Sequence, residues 1–319
     1  MVRVHLVGGA GFLGTAAIKA LRTQGHRVYG VARNEEKARY LAKIEAIPVL
    51  ATDEDPYGFR IVEKENIDVI IELSGSPDAS SAVLEAVKVY GKKRIERYSS
   101  TNHAIVPKLG FVAVTGAWVH GSSHEYVNDL DQVGSKFAPT KPVGMAAWRP
   151  DLERDVLAAQ DVVDVLVLRP CLVYGNHSPV WVAPFAPLYR AHTSNASSVD
   201  INVKKHLRLA LVHIDDVGNG IALAASKVGA LGGAYPVFDL ATSYESFEEI
   251  VLAAASGIGY QGTVNFVDPA AEDAFQQAVN TNGNLSSQRA KSLLGWVPQR
   301  VSMLADADIY INAWAAGNA

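Results

Sequence analysis

Three glycines near the start of the chain have the spacing of a phosphate-binding loop. Gly8, Gly11 and Gly14 follow a short strand-like segment with Val2, Val4, Leu6 and Val7, and apolar residues recur at helical spacing after them. Gly8 permits a tight turn, Gly11 lets the backbone approach a pyrophosphate, and Gly14 lets the helix pack closely on the strand. The first N–H groups of that helix and the positive end of its dipole favour an anion. The spacing therefore predicts a bound dinucleotide.

A βαβ unit surrounds these glycines and must position them. Phe12 and Leu13 open the helix and are expected cofactor contacts, Gly25 follows its end, and residues 27–32 form a second strand. Alternating strands and helices continue to about residue 170, which predicts a parallel sheet covered by helices on both faces. The expected fold class is therefore α/β, a doubly wound parallel sheet or Rossmann fold.

The composition is that of a folded protein without a strongly charged surface. The 319 residues are 49% hydrophobic and 19% charged, with a net charge of -4, which excludes intrinsic disorder. The absence of a basic run argues against nucleic-acid and membrane partners. The single Cys171 fits a reducing compartment, and neither a long apolar stretch nor a signal-peptide pattern is present, so a cytoplasmic location is expected. No metal site is expected, because His213, Asp215 and Asp216 do not share a helical ligand face.

The spacing of the glycines resembles that of the extended short-chain dehydrogenase/reductase family, which includes the NAD-dependent epimerases and dehydratases. Further segments along nearly the whole chain resemble landmarks of this family: DVIIELSG (68–75), FVAVTGAWVHG (111–121), LRP (168–170), VYG (173–175), LVHIDDV (211–217) and LGWVP (294–298). The resemblance implies a dinucleotide-binding domain over residues 1–177 and a smaller substrate-side part over 178–319. Residues 211–240 are expected to return to the main sheet, and a homodimer is the family's habit.

The resemblance also implies the remaining cofactor contacts. It places Asp53 near the adenine, and Leu73, Ser74 and Gly75 in the turn after the fourth strand. At the end of the second strand, where NAD requires an acidic residue, this chain has Arg33, which suits a 2′-phosphate. NADP is therefore the expected cofactor and NAD a possible one. The alternative is that Arg33 is solvated and paired with a neighbouring glutamate.

The catalytic pair of the family is absent. The family uses a tyrosine and a lysine four residues apart on one helix, and none of the twelve tyrosines here has a lysine at that distance. Counting back from Arg169 and Pro170 assigns Trp148 and Leu152 to these positions, which predicts that both side chains face the cleft. Neither side chain can exchange a proton, so the family's usual mechanism is not available.

Three other residues are candidates for the missing catalytic groups. Thr115, one residue before Gly116 in the place of the family's serine, could donate a hydrogen bond to the substrate. His120 could act as an acid or base near neutral pH. Tyr174 follows the sixth strand, at the edge of the sheet where ligands bind. Each of the three also has an ordinary structural interpretation.

A small-molecule cleft is expected beside these groups. Asn176 follows the sixth strand, and Trp181 lies in the aromatic segment 178–189, which suggests a substrate-side lid together with Trp148. Three functions remain open. The first is an NADP-dependent oxidoreductase or epimerase/dehydratase-like enzyme that acts on a small carbonyl or hydroxyl compound with non-standard catalytic residues. The second is a redox-neutral isomerase or cyclase. The third is a non-catalytic NADP-sensing regulator.

Overall fold

A computed structural model of the chain describes residues 1–99, 106–231 and 235–318. The strands are β1 (Arg3–Val7), β2 (Arg27–Ala32), β3 (Ile47–Leu50), β4 (Val69–Glu72), β5 (Leu109–Val114), β6 (Val163–Pro170), β7 (Leu172–Tyr174), β8 (Ser198–Asn202), β9 (Arg208–His213), β10 (Val237–Leu240), β11 (Ser243–Ser246) and β12 (Thr263–Val267). The helices are α1 (Phe12–Thr23), α2 (Glu35–Lys43), α3 (Ile61–Lys64), α4 (Pro77–Ser99), α5 (Arg149–Ala158), α6 (Val182–Thr193), α7 (Ile214–Leu231), α8 (Phe247–Gly257), α9 (Ala274–Val279) and α10 (Ala307–Asn318). Within the described ranges, no helix has the length and apolar character needed to cross a membrane.

A seven-stranded parallel sheet forms the centre of the molecule. Its strand order is β10-β6-β5-β4-β1-β2-β3. The chain therefore winds outward in one direction from β1 to β3 and in the other direction from β4 to β10. Because the order reverses between β1 and β4, the crevice at the carboxyl ends of these two strands is the expected ligand site of such a sheet.

The strands of this sheet are mostly apolar because both of its faces are covered. In β4, Ile71 packs in the cluster beneath α1 and α7, while Ile70 packs in the opposite cluster beneath α4 and α5. This alternation is the period of two of a strand, and the continuous apolar run is typical of a buried parallel sheet. The sequence prediction of a doubly wound α/β fold is confirmed.

The C-terminal part has smaller sheets and a core of its own. Strands β11, β9 and β7 form one sheet, and β12 pairs with β8 in another. Trp181, Phe185 and Phe247 pack together in the core of this part. The chain crosses between the two parts, because β7 pairs with β9, whereas β10 pairs with β6 in the main sheet. The aromatic segment 178–189 forms a short 3-10 turn followed by the start of α6.

Candidate functional site

The glycine loop joins β1 to α1 at the point where the strand order reverses. Gly8 has a φ of +84°, and a Cβ there would lie 2.8 Å from the carbonyl oxygen of Leu73 after β4. A Cβ at Gly14 would collide with the carbonyl oxygens of Gly8 and Gly9. Gly11 caps α1 without a side-chain hydrogen bond, so the first N–H groups of the helix remain available to an anion. The loop therefore fits a dinucleotide pyrophosphate.

A polar groove of about 440 Å³ lies beside the glycine loop. Gly11 and Phe12 form part of its wall, and Lys19 and Lys37 contribute two positive charges. Asn176, whose φ is +51°, lines the same groove. Asn176 is absent from the wall of the apolar cavity described below. The structure therefore places this predicted substrate-cleft residue on the cofactor side of the molecule.

The predicted nucleotide-selecting residues lie at the solvent-facing ends of the strands. Arg33 is exposed between β2 and α2, and within the described part of the chain it forms no ion pair with Glu35 or Glu36. Asp53 is exposed in the loop after β3. Ser74 and Gly75 follow β4 and lie near the protein surface.

A second cavity, of about 160 Å³, opens at the carboxyl ends of β5 and β6. Leu13 of the glycine loop reaches its wall, so this cavity adjoins the expected dinucleotide site. Thr115, Gly116 and Arg149 form its polar side. Apolar residues from the C-terminal part form the facing wall: Val180, Leu209, Val279 and Leu285. This arrangement gives an apolar chamber with a polar end next to the glycine loop.

Helix α5 turns a different face toward the cavity than the sequence predicts. Leu152 is 6% exposed and packs with Val156 in the apolar cluster between the sheet and α4, where Trp148 also packs. The expectation that Trp148 and Leu152 face the cleft is wrong, because burial of their apolar surface directs them into the core. Arg149 and Glu153 instead extend toward the ends of the strands.

Glu153 is the centre of a buried hydrogen-bonded charge network. Its carboxylate accepts a 2.5 Å hydrogen bond from the Thr115 hydroxyl. It also accepts two hydrogen bonds from Nε of Arg169, both at 3.1 Å, and one from Nη2 at 2.6 Å. Burial disfavours the charged guanidinium, but Glu153 and Asp239 outweigh that effect and raise the pKa of Arg169 above its ordinary value. The network therefore fixes the carboxylate behind Thr115.

Arg149 provides the positive charge in the wall of the cavity. Burial lowers the pKa of its guanidinium, while Glu153 and Glu72 oppose that shift. Its Nε is buried without a hydrogen-bond partner. Gly116, at φ +125°, leaves room for this side chain, because a Cβ there would lie 2.7 Å from Nη1 of Arg149. The guanidinium can therefore donate hydrogen bonds to an oxygen bound in the cavity.

His120 lies behind the cavity wall and does not reach the cavity. It is 3% exposed, and its Nε2 lies 2.9 Å from Oδ2 of Asp239 on β10. The hydroxyl of Thr140 donates a hydrogen bond to its carbonyl oxygen. The expectation of an imidazole in the cleft is therefore not met, because the side chain is enclosed beside a buried carboxylate.

Tyr174 and Trp181 are buried in the core of the C-terminal part, away from the cavity wall. The Tyr174 hydroxyl donates to the carbonyl of Arg300 at 3.2 Å, and burial raises the pKa of this phenol. The Trp181 indole N–H donates to the carbonyl of Val173 at 3.1 Å. Both side chains have satisfied structural roles here, which differ from the catalytic and cleft roles expected from sequence.

Arg149, Glu153 and Glu72 are the site residues that sequence reasoning missed. A usable signal was present, because Arg169 follows the apolar run VLVL near the end of a parallel strand, and a buried guanidinium requires a carboxylate partner. Glu153 lies on the preceding helix, four residues after Arg149. Cys171 also lines the cavity, but burial raises the pKa of its thiol well above the ordinary value and keeps it protonated.

Two comparisons with known proteins match parts of the chain to dehydrogenases. A family model for zinc-binding dehydrogenases matches residues 13–94, less than half of the chain. Among the described residues, no group of His, Cys, Asp and Glu side chains is arranged to hold a metal ion. A sterol-4-alpha-carboxylate 3-dehydrogenase (decarboxylating) from Dictyostelium discoideum is 26% identical over 196 residues, which are 56% of this chain and 56% of that protein. The match thus spans little more than half the length of that relative.

Solved structures of nucleotide-sugar enzymes match the chain over its full length. A dTDP-glucose 4,6-dehydratase from Bacillus anthracis in complex with NAD has a TM-score of 0.72 at 14% identity, covering 100% of this chain and 97% of that one. A UDP-glucuronic acid 4-epimerase from Bacillus cereus has a TM-score of 0.70 at 16% identity, covering 98% and 99%. The chain shares the fold of these dehydratase and epimerase structures. Within that fold, the Arg149 and Glu153 pair occupies the helix face beside the strand ends.

Proposed function

We propose that this protein is an NADP(H)-dependent oxidoreductase that acts on a small carbonyl or hydroxyl compound through Arg149, Thr115 and Glu153. The observation that carries the proposal is the position of Arg149 and Thr115 on the wall of a cavity that also includes Leu13 of the glycine loop. Structures with this fold include NAD complexes of a dehydratase and an epimerase, and the matched relative is named as a dehydrogenase. These similarities support an enzyme rather than a regulator.

The charges beside the glycine loop favour NADP over NAD. Arg33 stands where an acidic side chain would bind the ribose hydroxyls of NAD, and Lys37 follows it on α2. Lys37 and Lys19 also line the groove beside the loop. A guanidinium and an ammonium stabilise the additional phosphate of NADP by charge-assisted hydrogen bonds. The loop glycines would hold the pyrophosphate, and a bound nicotinamide supplies or accepts the hydride in such a reaction.

The residues of the cavity wall divide the remaining chemistry between them. Arg149 donates hydrogen bonds to the substrate oxygen and stabilises the negative charge that develops there. A guanidinium does not release a proton near neutral pH, so the proton must move through another group. Thr115 Oγ1 accepts the proton of a substrate hydroxyl and passes its own proton to the carboxylate of Glu153 along the 2.5 Å hydrogen bond. Carbonyl reduction uses the same two transfers in reverse, so Glu153 must first take up a proton from solvent, and each reduction consumes that proton.

Substitutions at Thr115 test this division of roles. Thr115→Val removes the hydroxyl with little change in volume, whereas Thr115→Ser retains it. We expect the valine variant to lower kcat for NADPH-dependent reduction of 4-tert-butylcyclohexanone by about 10²–10⁴, the usual contribution of general acid–base catalysis. The serine variant should stay within about tenfold of the parent. Both should bind NADP⁺ with unchanged affinity in calorimetry, which serves as the control for folding.

The result that contradicts the proposal is equally specific. A parent protein that binds no NADP(H), or that consumes no NADPH with small ketones, is not the proposed oxidoreductase. A valine variant with full kcat would show that the proton travels by another route.

A further inference from the structure

The facing wall of the cavity has no group suited to a phosphate or a sugar. Val180, Leu209, Val279 and Leu285 form it, and Leu172 and Val173 continue it from β7. Among the described residues that line this cavity, Arg149 is the one basic side chain. A nucleotide sugar brings two phosphates and many hydroxyls, each of which requires a partner when it is removed from water.

Two further polar side chains of the lining already have partners within the protein. Thr281 donates its hydroxyl hydrogen to the carbonyl of Ala278. The oxygen of the Asn282 side chain accepts the backbone N–H of Arg208, and its nitrogen contacts His124. Arg149, whose Nε has no hydrogen-bond partner, and Thr115, whose hydroxyl oxygen can still accept a hydrogen bond, lie together at the other end of the lining and are positioned to recognise a polar atom.

Two nearby carboxylates stabilise the positive charge of Arg149 before any ligand binds. Glu72 and Glu153 both favour its charged form. The hydrogen-bond donors to Glu72 are Ser74 and Ser80, which are uncharged and leave its negative charge in place. An anionic ligand would therefore meet a cation on the cavity wall that already lies near two carboxylates.

The guanidinium behind the cavity wall is also matched by carboxylates. Arg169 forms an ion pair with Glu153 at 2.6 Å, and its Nη1 lies 3.9 Å from Oδ1 of Asp239. The two guanidiniums at this end of the cavity are therefore accompanied by three carboxylates, so no positive charge is left over for an anion. An uncharged carbonyl or hydroxyl oxygen can accept a hydrogen bond from Arg149, whereas a ligand carboxylate competes with Glu72 and Glu153 for the same guanidinium.

We propose that this cavity takes an uncharged ketone or secondary alcohol with a largely hydrocarbon body, and that it rejects phosphorylated and carboxylated substrates. The inference rests on the proposed function, because the oxygen held by Arg149 and Thr115 is the one that reacts. It assigns to this chain a substrate class different from the UDP-sugar held by the epimerase structure of the same fold.

Calorimetric titration of the full chain in the presence of NADP⁺ tests the substrate class, since the oxidised nucleotide prevents reduction of a ketone. The probes are 4-tert-butylcyclohexanone, 4-oxocyclohexanecarboxylate, which carries a charge in place of the hydrocarbon group, and UDP-glucose. We expect the uncharged ketone to bind at least about tenfold more tightly than the carboxylate, because the carboxylate loses its hydration without gaining a free cation. UDP-glucose should not displace the ketone.

Two valines provide the matched variants. Val180 lines the cavity, whereas Val182 is 44% exposed on the first turn of α6. Val180→Asn should weaken binding of the ketone by about tenfold, and Val182→Asn should change it by less than about twofold. NADP⁺ affinity should be the same in both variants, which shows that they fold.

Tighter binding of the carboxylate or of UDP-glucose, no binding of the ketone, or equal effects of the two valine variants would overturn this substrate class. A titration without nucleotide separates the two proposals. Ketone binding by a chain that binds no NADP⁺ supports the cavity assignment and contradicts the proposed function. NADP⁺ binding together with a preference for 4-oxocyclohexanecarboxylate would contradict the cavity assignment and leave the proposed function supported.

Discussion

The hydroxyl of Thr115 donates a 2.5 Å hydrogen bond to the carboxylate of Glu153, which joins the end of β5 to α5 at the cavity wall. Arg149 and Glu153 have the same four-residue spacing as the tyrosine and lysine of the resembled family, and they lie on the face of α5 that meets the strand ends. Arginine thus stands where the family has its proton-exchanging tyrosine, and glutamate stands where it has its lysine. The acid is the group that can take a proton in this arrangement.

Nucleotide preference should depend on Arg33. Arg33→Asp removes the proposed partner of the 2′-phosphate and adds a negative charge. We therefore expect NAD⁺ to bind more tightly than NADP⁺, with a change of about 1–2 kcal/mol in the difference between their binding free energies. Calorimetry with both nucleotides measures the change. Arg39→Asp on the exposed side of α2 carries the same change of charge and should leave the ranking unaltered. Equal effects of the two variants would assign the preference to general electrostatics.

The new position of Leu152 predicts a strong effect on stability. Leu152→Lys places an ammonium in the apolar cluster beneath α4, so the free energy of unfolding should fall by about 3 kcal/mol or more. Asp155→Lys on the exposed side of the same helix should change it by less than about 0.5 kcal/mol. Urea unfolding of both variants provides the comparison. An unchanged free energy of unfolding for Leu152→Lys would show that the side chain at this position faces the cleft and not the core.

His120 should matter for stability more than for turnover. His120→Asn removes the hydrogen-bond partner of the buried Asp239 carboxylate, and we expect the free energy of unfolding to fall by about 1–3 kcal/mol. The exposed His206→Asn is the matched control and should fall within about 0.5 kcal/mol of the parent. NADPH-dependent reduction of 4-tert-butylcyclohexanone should keep kcat within about tenfold of the parent. A large loss of kcat at unchanged stability would instead make His120 catalytic.

His5 predicts a loss of stability in mild acid. Burial lowers the pKa of this histidine to about 4 from 6.5, although the Tyr57 carbonyl and Asp55 oppose the shift. Between these two values the unfolded chain binds the proton and the folded chain does not. The contribution of neutral His5 to the free energy of unfolding is therefore complete above pH 6.5. It decreases by about 3 kcal/mol as the pH falls toward 4.

Urea unfolding at pH 7 and pH 4.5 measures this contribution. His5→Gln keeps a donor for the Tyr57 carbonyl but does not titrate, so its stability should fall less over this interval than that of the parent by about 2–3 kcal/mol. The difference between the two proteins isolates His5 from His26 and His213, whose pKa values burial also lowers. Identical decreases in the two proteins would show that His5 does not control the acid sensitivity.

The sheet could be predicted from sequence because its strands are long apolar runs and its first turn requires glycine. Val4 and Leu6 pack on one face of the sheet and Val7 on the other, and these apolar residues before the glycines indicate a buried strand without tertiary information. The close approach of Gly8 to the carbonyl of Leu73 follows from the same pattern, since only a residue without a Cβ fits there.

The polar end of the cavity could not be predicted because it depends on the rotation of one helix. Counting back from Pro170 placed the cleft face of α5 one residue too early, and a short 3-10 turn, Ala159–Asp161, lies between α5 and β6. A shift of one residue turns a helix by about 100°, which exchanges Leu152 for Glu153 at the strand ends. Helical spacing alone does not decide which of two adjacent faces meets a cavity.

Gly116 restricts the sequences that this cleft can adopt in related proteins. Its φ of +125° is a conformation that residues with a side chain rarely adopt, and a Cβ there would lie 2.7 Å from Nη1 of Arg149, so the guanidinium would have to shift. A serine at this position would therefore strain the backbone and displace a guanidinium of the cavity wall at the same time. The turn after β5 thus couples these two positions, and a related protein with serine at 116 is expected to differ both in the backbone of this turn and in the placement of the side chain at 149.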